Sequence, residues 1–203
     1  MLLDVDESQL VLVDYQIRLM PAIADGLAVL ANAVRLAKLA ALLKVPAFVT
    51  EQNPSGLGGS VPELNVALQE AGARVLSKMQ FSAVEEGLAE WLRPSPKPVQ
   101  GNARSLPKHL QKAPAGSERG TVVLAGCEAH VCLLQTALDL LEDEFDVWVV
   151  TDACGSRTER NRDAAFDRLA GAGAELVTTE MVAFEWIRSA EHPDFKAVQA
   201  LIK

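Results

Sequence analysis

Aromatic residues are scarce, only 5% of the 203 residues, with a single tyrosine. A core that cannot lean on rings must close through small aliphatic side chains at short helix–sheet distances. Cysteine is also sparse, at three residues, and an odd count does not build a disulfide framework. The three histidines are widely spread, which argues against a His-rich metal site. Positive charge is short as well. The formal net charge is −8 and no basic run stands out, so a nucleic-acid backbone is not the expected partner. No apolar run reaches the length of a membrane span. The opening MLLDVDESQ lacks the basic start and cleavage pattern of a signal peptide, and a cytoplasmic location is the expectation. No GxGxxG or Walker-type phosphate loop occurs.

What is present is a chain 49% hydrophobic and rich in Ala, Leu and Val, of a length suited to one domain. Short apolar runs alternate with segments of helical spacing. Strands are expected at Gln9–Asp14, Val45–Thr50, Arg74–Ser77, Val122–Ala125, Asp146–Thr151 and Ala174–Thr178. Helices are expected at Ile23–Leu43, Pro62–Ala71, Ala83–Leu92, Leu134–Leu141, Glu159–Ala170, Met181–Ser189 and Pro193–Ile202. This alternation predicts a single α/β domain, with a mostly parallel sheet covered on both faces. The stretch 93–120 has no periodicity and holds Pro94, Pro96, Pro98, Pro107 and Pro114. It reads as an exposed insertion, because a strand resumes directly after it.

Thr121–Leu141, TVVLAGCEAHVCLLQTALDLL, is the stretch richest in chemistry. Strand, tight connection and helix place Cys132 in a first helical turn, where unpaired N–H groups and the helix dipole favour a thiolate. Asp14 and Lys78 also stand at strand ends, and parallel strands bring those ends to one edge. The three types fit nucleophilic catalysis: a thiol, a cation beside it, and an acid to carry its proton. Gln16, Gln52 and Phe81 lie just past strand ends and are candidate pocket residues for a small-molecule substrate. Cys127 and Cys154 read as packing residues. Asp139 reads as a scaffold contact, the Phe184–Trp186 helix as core or subunit contact, and Gly56–Gly59 as a lid.

Three segments resemble the isochorismatase-like cysteine hydrolase superfamily. LVLVDYQ places Asp14 at the family's acid, LSKMQFSA places Lys78 at its lysine, and GCEAHVCLLQTALDLL places Cys132 at its nucleophile. Thr50–Leu64, Val149–Arg157 and His192–Lys203 are similar to the isochorismatase domain-containing subgroup. The resemblance runs from about Gln9 to the C-terminus and leaves 93–120 outside. It implies a three-layer α/β/α fold around a six-stranded parallel sheet, an Asp-Lys-Cys triad, and a cis peptide between Cys127 and Glu128. That peptide would point the Glu128 N–H, with that of Cys132, at an oxyanion. It implies acyl transfer through a thioester and a homo-oligomeric assembly. Where nicotinamidases of this family carry an Asp-x-His metal element, Glu51, Gln52 and Asn53 stand here, so no metal or other cofactor is expected. The expectation is a cysteine hydrolase of a small amide, carbamoyl or other C–N substrate. The alternatives are isochorismate-type ether hydrolysis and a non-catalytic binding or redox-sensing member.

Overall fold

In the computed structural model, which describes residues 1–93 and 119–203, six strands form one sheet. They are β1 (Ser8–Val13), β2 (Ala47–Gln52), β3 (Arg74–Lys78), β4 (Thr121–Gly126), β5 (Asp146–Val150) and β6 (Glu175–Val177). Every pair is parallel, in the order β3-β2-β1-β4-β5-β6. The helices are α1 (Gly26–Leu43), α2 (Pro54–Leu57), α3 (Pro62–Glu70), α4 (Leu88–Leu92), α5 (Leu134–Glu142), α6 (Glu159–Ala172), α7 (Thr179–Ile187) and α8 (Phe195–Ile202). Helix α1 packs with α3, α7 and α8, whereas α5 packs with α6, giving the helical layers on either side of the sheet. The fold is the α/β/α sandwich that the sequence predicts. Most of the expected stretch 93–120 lies outside the described residues.

The central strands are apolar and shielded on both faces, as parallel sheets require: Leu10, Val11, Leu12, Val13, Val122, Val123, Leu124 and Ala125 are all fully buried. Strand order reverses between β1 and β4. Ligands of open parallel sheets gather at the carboxyl ends of strands at such a reversal. There, Gly126 stands in register with Val13. A Cβ on Gly126 would collide with the Val13 backbone oxygen. Its absence lets the chain stay tight, and the next residue, Cys127, donates its N–H to that oxygen (2.9 Å).

Three local departures from the sequence reading have physical causes. Pro46 has no N–H to give to a ladder, and β2 starts at Ala47; it runs on to Gln52 instead of ending at Thr50 because Glu51 and Gln52 pair with Ser77 and Lys78 of β3. The expected helix Ala83–Leu92 is two pieces, a turn at Val84–Glu86 and α4, broken at Gly87 with φ +91°. The segment Ala129–Leu133 winds wider than an α-helix, with the Leu133 N–H reaching the Glu128 carbonyl five residues back (3.3 Å). A fourth concerns membrane length. Helix α1 is 18 residues long and, by length and composition, apolar enough to cross a membrane, contrary to the sequence reading. In the fold it carries Arg35 and Lys38 and buries Ala33, Leu36, Ala37, Leu39 and Ala40 completely.

Candidate active site

Asp14 is the first residue past β1, and its φ of +57° puts it in the left-handed region. Short polar side chains tolerate that region best, and residues held there gather at functional sites. The turn is fixed by two backbone bonds: Asp14 N–H to the Thr50 carbonyl (3.1 Å), and Gln16 N–H to the Asp14 carbonyl (2.9 Å). The Asp14 carboxylate is fully buried. Thr50 Oγ1 donates to its Oδ1 (2.6 Å) and Lys78 Nζ to its Oδ2 (2.8 Å). A buried carboxylate needs both partners, since it has lost its water.

Lys78 ends β3 in register with Gln52, the last residue of β2. Its ammonium also donates to Gln52 Oε1 (2.7 Å) and to the Phe81 carbonyl (3.0 Å). The same Gln52 Oε1 lies 3.9 Å from Cys132 Sγ and accepts from the thiol. Asp14, Lys78 and Cys132 therefore meet in one cluster, with the Gln52 carboxamide oxygen between the ammonium and the sulfur. The cluster is closed: exposures are 0% for Asp14, 2% for Lys78 and 6% for Cys132.

That closure reverses one expectation. A helix start and a nearby lysine argue for a thiolate, yet burial pushes the Cys132 thiol up to about 12. The Asp14 charge adds to the rise and the Lys78 charge works against it. At neutral pH the sulfur is a protonated thiol beside a carboxylate. Cys127 and Cys154 are buried, and burial raises both thiols as well.

The remaining predicted residues fall into different places. Gln52 is in the cluster. Gln16 is fully buried, and its amide grips the Gln52 backbone N–H (2.9 Å), the Gln52 carbonyl (2.9 Å) and the Gly58 carbonyl (2.6 Å). Its side chain is spent on holding the loop, not on lining a pocket. Phe81 offers its carbonyl to Lys78 while its side chain is half exposed. The Cys127–Glu128 peptide is cis. The Glu128 carboxylate turns away to bind the Arg157 N–H and Nε (both 3.0 Å). The Gly-rich loop read as a lid is bonded down by Ile17 N–H to Gly59, Arg18 N–H to Leu57 and Arg18 Nη1 to Gly56, which removes much of a lid's freedom. Asp139 accepts from Ser82 Oγ, the scaffold role expected of it. Trp186 is core, and its Nε1 donates to Ser8 Oγ (3.1 Å).

Sequence reasoning missed Thr50. Its signal was available, a hydroxyl residue at a strand end beside the strand that delivers Asp14. Glu51 and Asn53 have other duties. Glu51 Oε1 accepts from the Ser60 N–H and Oγ, and Asn53 donates its N–H to the Lys78 carbonyl. Among the described residues, no group of three His, Cys, Asp or Glu side chains is placed to hold a metal. A cavity of about 390 Å³ lies at the opposite edge, between Thr121, Phe145 and Trp148, far from these groups.

The isochorismatase domain model matches residues 8–97 and 104–181. It takes in all of the stretch 93–120 except residues 98–103, so most of what reads as an insertion belongs to the family pattern. The mouse protein called isochorismatase domain-containing protein 2A is 38% identical over 198 residues, covering 98% of this chain and 84% of its own. Among solved structures, the MAR1 ribonuclease of Caenorhabditis elegans is 32% identical with a TM-score of 0.84, covering 100% of this chain and 92% of the other. The Escherichia coli YcaC product, described as an octameric hydrolase of unknown specificity, is 25% identical with a TM-score of 0.74, covering 98% and 95%. By the span of the family model and the identity to its relatives, this chain belongs to the isochorismatase domain family.

Proposed function

We propose that the chain is a cysteine hydrolase that cleaves a small amide, carbamoyl or other C–N substrate through a thioester on Cys132. The observation that carries this reading is the buried meeting of Lys78, Asp14 and Cys132 at the strand-order reversal. With the thiol at about 12, the resting nucleophile is neutral, and Asp14 removes its proton as sulfur attacks the carbonyl carbon. The C=O π pair moves onto oxygen, where the backbone N–H groups of Glu128 and Cys132 receive the charge. Collapse expels the leaving nitrogen, which takes the proton from Asp14. Water then attacks the thioester, Asp14 takes the water proton, and the sulfur leaves and recovers it. Lys78 holds Asp14 in place through these transfers by its bond to Oδ2 (2.8 Å).

Cys132 favours this reading over isochorismate-type ether hydrolysis, which has no use for a sulfur nucleophile. The near-complete burial of the cluster is the observation in favour of a non-catalytic binding or redox-sensing member. A ribonuclease role, as in the name of the Caenorhabditis elegans relative, fits poorly with a formal net charge of −8. A homo-oligomer and a cytoplasmic setting complete the proposal, the first supported by the octameric YcaC hydrolase. The test is a hydrolysis screen of small amides, carbamoyl amines and isochorismate with wild type and Cys132→Ala. Loss of C–N hydrolysis in the variant supports the proposal. Ether hydrolysis that survives Cys132→Ala overturns it.

A further inference from the structure

The residues just before Cys132 are fastened to one short segment, Gly155-Ser156-Arg157, by contacts that the catalytic cluster does not use. The Ala129 N–H donates to the Gly155 carbonyl (2.8 Å), and the Gly155 N–H donates to the Gly126 carbonyl (3.2 Å). His130 Nδ1 pairs with Ser156 Oγ (2.9 Å). One oxygen of Glu128, Oε2, takes both the Arg157 N–H and Arg157 Nε at 3.0 Å. Ser156 is 1% exposed and Glu128 8%, so the Glu128 end of the pair is buried while the Arg157 side chain reaches it from the surface. Gly155 packs closely as well, since a Cβ there would run into Ile23 Cγ2 and force that side chain to shift.

Every one of these contacts lands on residues 126–130, and none lands on Asp14, Lys78 or Cys132. We infer that the Glu128 carboxylate, with Arg157 as its partner, is a positioning element for the Glu128 backbone N–H that faces the developing oxyanion. This rests on the cysteine hydrolase reading above. The chemical logic is that a backbone donor stabilises an oxyanion only if it is held still before the charge appears. The Glu128 carboxylate holds it by anchoring to the neighbouring segment. The side chain therefore acts on acyl transfer and not on the nucleophilicity of sulfur.

Two reagents separate these effects. p-Nitrophenyl acetate acylates a thiol through a tetrahedral oxyanion, whereas iodoacetamide alkylates it by displacement of iodide, with no oxyanion. Acylation is followed as release of p-nitrophenolate, and alkylation as mass gain at Cys132. For Glu128→Ala the expected result is a loss of acylation rate of about tenfold or more, with alkylation within about twofold of wild type. Glu128→Gln, which keeps an oxygen for the Arg157 N–H, recovers most of the acylation rate. Arg157→Ala loses one of the two bonds and falls between. Its side chain is 62% exposed, so the variant retains the fold even if Glu128→Ala does not. Acylation unchanged in both Glu128→Ala and Arg157→Ala overturns the inference, as does a parallel fall of acylation and alkylation. A wild type that is alkylated at Cys132 but never acylated there overturns the hydrolase reading itself, and the inference with it.

Discussion

Lys78 Nζ lies 2.8 Å from Asp14 Oδ2, and neither side chain is exposed. Taking two charges out of water is costly, and a pair like this is no guarantee of stability. Removing one partner is the decisive perturbation, because it strands the other. Lys78→Met strips the ammonium from Asp14, leaving it the Thr50 hydroxyl and the neighbouring Cys132 thiol, and is expected to cost about 3–5 kcal/mol in denaturant unfolding. The double variant Asp14→Asn, Lys78→Met is expected to recover a substantial part of that loss. A double variant as unstable as the single one would show that the charge is not the cause.

The thiol of Cys132, pushed up to about 12 mainly by burial, sets a pH profile. Between pH 6.5 and 9 the thiolate fraction is small and grows about tenfold per unit. Iodoacetamide alkylation of Cys132 should therefore climb throughout that range without a plateau. A plateau near neutral pH would mean a pre-ionised thiolate, the state suggested by the helix start alone.

Stability has a pH signature with the opposite slope. Cys127, Cys132 and Cys154 all have thiols raised above the ordinary value of 9.0, each chiefly by burial. The unfolded chain begins to lose these protons near pH 9, while the folded chain holds them. The stabilisation is complete below pH 9 and is lost as pH rises towards the folded values. Each such group contributes a fall of about 1.4 kcal/mol per pH unit in that window. Cys154→Ala should flatten the alkaline decline in urea unfolding between pH 9 and 10.5, and an unaltered slope would count against its burial as a thiol.

Gln52 stands against the sulfur. Its carboxamide oxygen sits between Lys78 Nζ (2.7 Å) and Cys132 Sγ (3.9 Å), and its Nε2 is tied to the Met79 carbonyl (2.7 Å). Gln52→Ala should open the way to the sulfur and speed alkylation of Cys132 at fixed pH severalfold, with Cys127 and Cys154 staying unreactive. Equal or slower alkylation would show that Gln52 does not close the site.

The sequence made the scaffold legible where side-chain pattern and backbone agree. Apolar runs at Leu10–Val13 and Val122–Ala125 need two covered faces, and that requirement alone implies helices above and below. It was less informative about details set by the backbone. The wide turn at Ala129–Leu133 leaves no mark on hydrophobic spacing. The two-residue extension of β2 comes from Glu51 and Gln52 pairing in register with Ser77 and Lys78, a match that apolar spacing does not record. For the site, strand ends and family spacing brought Asp14, Lys78 and Cys132 to one edge. They do not reveal closure of that edge, so a helix start suggests a thiolate where burial holds the proton on sulfur. The position of Gln16 just past a strand end suggests a pocket residue. Only the folded loop shows its amide consumed by Gln52 and Gly58.

The central claim is a thioester at Cys132 formed with the help of Asp14. The most direct measurement is mass mapping after exposure to p-nitrophenyl acetate and an acid quench. The expected result is one acetyl group on the Cys132 peptide of wild type, none on that peptide in Cys132→Ala, and strongly slowed acetylation in Asp14→Asn. Acetyl groups on surface lysines with an unmodified Cys132, or acetylation of Cys132 at the same rate without Asp14, would contradict it.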